Sequence, residues 1–254
     1  MPLPAVSAAD EEQAERLRDE LRQREELLIE QELFLATCRS QLLHFQRVYM
    51  EKVGSLYVEL DRILAERRRG YVEEHPEDFE AARRADEADA QANRSRQEFE
   101  EQEAALPQAG RVGEPSAELK DLYRRLAKKY HPDLASDPAE KAFRHEAMCR
   151  ISAAYSDGDI EDLRRIEAEL AEHAAPSAGQ GLKRELRELQ RRLNQVNSRL
   201  AAIKKELAEL QASDLWRLFQ QWKECQMRDG EDLLERMAAA LREQIRKERS
   251  SSTP

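Results

Sequence analysis

The sequence predicts an all-α protein, with elongated coiled-coil and helical-bundle arms around a small helical hairpin. Three observations carry this. Leucines and their equivalents recur every seven residues near both ends of the chain. Charged residues make up 37% and aromatic residues only 6%, as in long helices rather than a compact globule. No segment alternates apolar and polar residues in the way a half-buried strand requires.

Residues 1–9 lack any periodicity and are expected to be a disordered lead. Residues 10–105 form the first arm. Leu21, Leu28, Leu35, Leu42, Tyr49, Leu56 and Ile63 follow at steps of seven, beside a second track of Ile29, Ala36, Leu43, Met50, Tyr57 and Leu64. This predicts one helix from about Ala14 to Arg69, with Gly54 as its interior glycine. Two adjacent tracks make a face wider than a two-stranded seam and imply more than one partner helix. Gly70 and His75-Pro76 mark a turn. A return helix over 77–105 is expected to pack closely through Ala81, Ala85, Ala88 and Ala92, with Phe79 and Phe99 as its large anchors; the alternative is a solvated single helix.

Residues 106–116 are a linker by composition, and a small module follows over 117–173. Residues 174–181 (AAPSAGQG) form a second linker. Over 182–211 the apolar residues alternate steps of four and three, a coiled coil with Leu186, Leu193, Leu200 and Leu207 at a. Its g and e positions disfavour a parallel self-pair, because Arg199 would meet Lys204 and Arg192 would meet Asn197. Residues 182–211 carry eight basic and four acidic side chains, and residues 10–32 carry four and ten. The coil is therefore expected to pack on the N-terminal helix, parallel or antiparallel, within or between chains. Residues 212–248 give two further helices around an Asp229-Gly230 turn, and 249–254 a disordered tail. Trp216, Phe219 and Trp222 lie at helical spacing and read as bundle core rather than a client groove.

The net charge of −10 argues against nucleic acid as a partner, which wants a basic surface. Cys38, Cys149 and Cys225 form no CxxC pair, fit a reducing compartment and read as packing residues. No apolar run approaches a membrane span and no leader pattern opens the chain, so a soluble cytoplasmic protein is expected. Asp157, Asp159, Glu161 and Asp162 fail the EF-hand spacing and read as helix caps. No phosphate loop, zinc motif or nucleophile arrangement is found, so no enzyme activity, cofactor or metal is expected.

The informative stretch is residues 117–155. Ser116 is a good N-cap for the helix ELKDLYRRLAKKY, whose face of Leu119, Leu122, Leu126 and Tyr130 opposes a basic row of Lys120, Arg124 and Lys128, flanked by Arg125 and Lys129. Pro132 breaks the helix at His131. Asp137-Pro138 opens a second helix bearing Ala142, Met148, Ile151 and Tyr155. The result is an antiparallel hairpin with His131, Pro132 and Asp133 at its tip.

This stretch resembles the J domain of DnaJ-like co-chaperones, over about residues 117–170. The resemblance implies that His131, Pro132 and Asp133 trigger ATP hydrolysis by a DnaK-type 70-kDa heat-shock chaperone. It implies that Lys120, Tyr123, Arg124, Arg125 and Lys128 dock on that partner. The three tip residues are expected to face solvent. The Tyr-x-x-Leu-Gly helix that usually precedes a J domain is replaced by LPQAGRVGEPS, and Leu163, Ile166 and Leu170 are expected to cover the surface it would have covered. The zinc repeats and Gly/Phe-rich stretch of DnaJ are absent, so the coiled-coil arms are left to bind clients, set location or form homo-oligomers. The alternative is a coiled-coil scaffold in which the J module is only a packing unit.

Overall fold

The computed structural model describes residues 8–106, 115–135, 138–171 and 182–250. Residues 1–7 of the lead expected over 1–9, most of the linkers, Asp137 and residues 251–254 of the tail expected over 249–254 lie outside the described residues, while 8–9 and 249–250 are helical. Every regular element among the described residues is helical, as predicted: α1 (Ala8–Tyr49), α2 (Ser55–Glu74), α3 (Phe79–Ala105), α4 (Ala117–Tyr130), α5 (Pro138–Ser156), α6 (Ile160–Ala171), α7 (Leu182–Ala212), α8 (Asp214–Asp229) and α9 (Leu233–Ser250). The chain divides into two compact units, one drawn from residues 1–41 and 109–212, the other from 42–108 and 213–254. The first arm is thus not a domain by itself, because the division falls within α1.

In the first unit, α1 and α7 lie side by side in parallel. Arg18, Glu25, Glu32 and Arg39 of α1 pair with Glu185, Arg192, Arg199 and Glu206 of α7 at 2.6, 2.6, 2.6 and 2.7 Å. Every pair is 167 residues apart in sequence, so the two heptad repeats run in the same direction and in register. The pairing is within one chain. It gives Arg192 and Arg199 the acidic partners that a parallel self-pair would deny them. Buried Leu193, Val196 and Ile203 fill the α7 side of the seam. The second apolar track of α1 turns elsewhere: Ile29, Leu33 and Ala36 join a core made with α4, α5 and α6. Two tracks therefore serve two partners, which is what the width of the face predicts.

In the second unit, a π-helical turn at Met50–Gly54 separates α1 from α2. Such a turn holds more residues than an α turn and changes the phase of every side chain beyond it. The seven-residue tracks are interrupted at this point. Leu56 is half-buried and Tyr57 is exposed, while Met50, Val53, Leu60 and Ile63 are buried. α2 also runs through Gly70 to Glu74, so the turn starts at His75 rather than at the glycine.

α3 returns antiparallel to α2. Asp78 caps it by accepting from the Ala81 N–H at 2.9 Å. Ala81, Ala85 and Ala88 are buried, which excludes the solvated single helix. Phe99 lies against Gly54, where a Cβ would stand 3.0 Å from the ring. Phe79 is no anchor: it is 85% exposed, because the first residue of α3 precedes the stretch that meets α2. Phe45 contacts Phe219 and Trp222 at ring distances of 5.5 and 5.4 Å, and Phe219 is buried. Phe219 of the α8 stripe is thus bundle core, with Trp216 and Trp222 half-buried beside it. Asp232 ties this cluster together by accepting from Trp222 Nε1 at 3.1 Å and from the Leu234 N–H at 3.0 Å, while pairing with Lys52.

Candidate functional site

The site is built on a three-helix module of α4, α5 and α6 held against α1. Ser116 accepts from the Leu119 N–H at 3.1 Å and starts α4. The helix stops where Pro132 demands an extended residue before it, and His131 has ψ 130°. Pro132–Leu134 form one 3-10 turn, closed by Leu134 N–H donating to the His131 carbonyl at 3.1 Å. Gly158, at φ 68°, ends α5 in a left-handed conformation that a side chain would oppose. Asp159 then caps α6, accepting from the N–H groups of Glu161 and Asp162 at 3.1 and 3.0 Å. Leu163, Ile166 and Leu170 are at most 4% exposed and close the module over α4 and α5.

The tip does not stand free in solvent: His131 is buried, and Pro132 and Asp133 are half-buried. His131 is 2% exposed. Its Nδ1 accepts from the Asp133 N–H at 3.1 Å, so its Nε2 is the nitrogen that donates to Glu32 of α1, also at 3.1 Å. Glu32 receives Arg199 of α7 at 2.6 and 3.1 Å on its two oxygens. Asp133 accepts from Gln195 of α7 at 2.8 Å and pairs with Lys141 of α5 at 3.3 Å. The expectation of a free loop fails because α1 and α7, remote in sequence, close over the turn.

The predicted docking residues divide. Tyr123 is 1% exposed, with its ring 4.7 Å from that of Tyr155, so it is core and not a contact surface. Burial pushes its phenol well above the usual tyrosine range. Arg124 is half-buried and pairs with Glu30 of α1 at 2.8 Å and with Asp121 at 2.8 Å. Arg125 is exposed and pairs with Glu167 of α6 at 2.8 Å; Lys128 is exposed and Lys120 half-buried. The cysteines do not all pack, since Cys149 is exposed while Cys38 is buried.

Glu32, Gln195, Lys141 and Arg199 surround the tip without having been found by motif. Glu32 alone carries a sequence signal. An acid between Ile29, Leu33 and Ala36 on an apolar face must have partners, because an unpaired buried carboxylate is costly. Burial by itself would raise its pKa. The hydrogen bonds from His131 and Arg199, with the Arg199 charge, outweigh burial and hold the carboxyl below the ordinary value of 4.5.

A carboxyl with a depressed folded pKa contributes stability at pH above its unfolded value, and that contribution is lost as pH falls through the folded one. Thermal melts between pH 7 and 3 should therefore show Glu32→Gln flattening the acid limb of the parent. Parallel limbs would mean that Glu32 takes no part in acid unfolding.

Among the described residues no cluster of His, Cys, Asp and Glu is placed to hold a metal, and no helix is long and apolar enough to cross a membrane. Comparison of the chain with protein-family models, with curated proteins and with solved structures finds no match.

Proposed function

We propose that this chain is a J-type co-chaperone, in which residues 117–171 stimulate ATP hydrolysis by a DnaK-type 70-kDa chaperone of the cytoplasm. The observation that carries the reading is the His131-Pro132-Asp133 turn at the tip of the α4–α5 hairpin, directly after an amphipathic helix with a basic outer row. A co-chaperone of this kind performs no chemistry itself. It binds the hydrolysing conformation of its partner more tightly than the other and so shifts the population toward it. Lys120, Arg124, Arg125 and Lys128 supply the charge for an acidic partner surface; Tyr123 acts only by holding α4 in place. The α1–α7 coil and the second unit are left for client binding, localisation or oligomerisation.

The test is steady-state ATP hydrolysis by a purified DnaK-type chaperone with and without the full chain. His131→Gln and Asp133→Asn should each abolish stimulation even where hydrogen exchange shows α4–α6 still folded. Stimulation that survives both variants would sink the reading. Reversing Lys120, Arg124 and Lys128 to Glu should weaken partner binding, and binding by the parent should fall with salt, since exposed charges are screened over ~10 Å at 0.1 M. Salt-independent binding would place the contact on another surface.

A second reading has an observation of its own. The burial of His131 under Glu32 favours a scaffold in which the hairpin is a packing unit. On that reading the tip variants lower stability and no form of the chain stimulates hydrolysis.

A further inference from the structure

The co-chaperone reading leaves the two trigger side chains engaged by the protein itself. We propose that α7 is a latch: paired with α1, it holds the His-Pro-Asp turn in an inactive state, and its release makes the turn available to the partner. The proposal rests on the co-chaperone reading and adds its regulation.

Three observations carry it. First, α7 reaches Asp133 directly and His131 only through Glu32 of α1. Gln195 donates directly to Asp133 at 2.8 Å, and Arg199 grips Glu32 at 2.6 Å while Glu32 holds His131 at 3.1 Å. A partner cannot take the Asp133 carboxylate or reach a ring that is 2% exposed without displacing these groups. Second, the basic row is drawn into the same closure, because Arg124 is paired with Glu30 on the helix to which α7 is zipped. Third, α7 is separable from the module that it covers. The core that joins α4, α5 and α6 takes residues from α1 but none from α7. α7 gives the turn the Gln195–Asp133 hydrogen bond and is itself tied to α1 by four ion pairs. An element that contributes nothing to the core of a site can leave without unfolding it.

The latch is bistable in the sense a switch requires. Closed, Glu32 and Asp133 are satisfied within the chain. Open, they are exchanged for water or for the partner's donors. A ligand that binds only the open state must work against the closed population, so loosening the seam lowers the concentration at which it acts.

The experiment uses the full chain. Val196→Asp with Ile203→Asp places two charges in the seam. Gln195→Ala removes the hydrogen bond from α7 to the turn and leaves the four seam ion pairs in place. Hydrogen exchange of α7 and of α4–α6 is read beside ATP hydrolysis by a purified DnaK-type chaperone. The expected result is faster exchange in α7 for the seam variant, retained protection in α4–α6, and stimulation at concentrations roughly tenfold below those the parent needs. Adding His131→Gln should cancel that gain. The contact variant should also gain, and it decides the matter should the seam variant lose protection in α4–α6. Equal stimulation by parent and contact variant would overturn the latch and leave the co-chaperone reading standing. No stimulation by any form, with α7 released and α4–α6 protected, would overturn the co-chaperone reading itself.

Discussion

Glu32→Ala is expected to destabilise the α1–α4–α7 junction by about 3–5 kcal/mol. Glu32 is 8% exposed and serves three elements at once, taking Arg199 from α7 and His131 from the turn after α4. Its removal leaves a buried imidazole nitrogen without a partner and a partly exposed guanidinium short of one. The cost is that of stranding them, not the net worth of the pair. Arg199 retains Glu206 at 2.6 Å, which limits the loss, and removing both partners in Glu32→Ala/Arg199→Ala should recover part of it. Glu32→Gln, which keeps two hydrogen-bonding atoms, should cost less. Native-state hydrogen exchange of α4 and α7 amides measures the difference locally. A loss under about 1 kcal/mol for Glu32→Ala would show that the cluster is hydrated and the clamp loose.

Leu163→Ala is expected to cost about 2–5 kcal/mol and to open the α4–α6 module. Leu163 has no exposed surface and sits in a core shared with Leu122, Leu126 and Ile151. α6 follows α5 through a tight turn at Gly158 and Asp159, so it cannot slide inward to fill the space. The hairpin of α4 and α5 leaves an apolar side that α6 covers, and this is the role expected of Leu163, Ile166 and Leu170 from their spacing. Loss of protection across α4 and α5 checks the prediction. A variant that loses only α6 protection would show that the hairpin folds without its cover.

The elements legible in the sequence were those whose cause is local. Ser116 as a cap, Pro132 as a stop and the unbroken four-three alternation of α7 each depend on residues within a few positions of one another. The pairing of α7 with α1 was legible in part, because charge balance between two stretches needs no knowledge of distance. Its direction and its closure within one chain were not. The π-helical turn escaped because Met50–Gly54 fits an ordinary helical repeat, and only packing below it makes the extra residue worthwhile. The tip of the hairpin was misjudged for a different reason. A turn after a proline is exposed by default, and His131 is buried by Glu32, 99 positions away. Tyr123 reads as core or half-core from its place beside the apolar face, as it is, and only the resemblance assigns it to docking.

The constant spacing of 167 residues between paired charges has a genetic consequence. An insertion of one residue in α7 between Glu185 and Arg192 would turn Arg192, Arg199 and Glu206 away from their partners together, and carry Gln195 off Asp133. Length changes between residues 172 and 181 alter the spacing number but no pair. Sequences descended from a common ancestor with this chain should therefore vary freely in length there, and gain or lose residues inside the paired helices only in whole sevens.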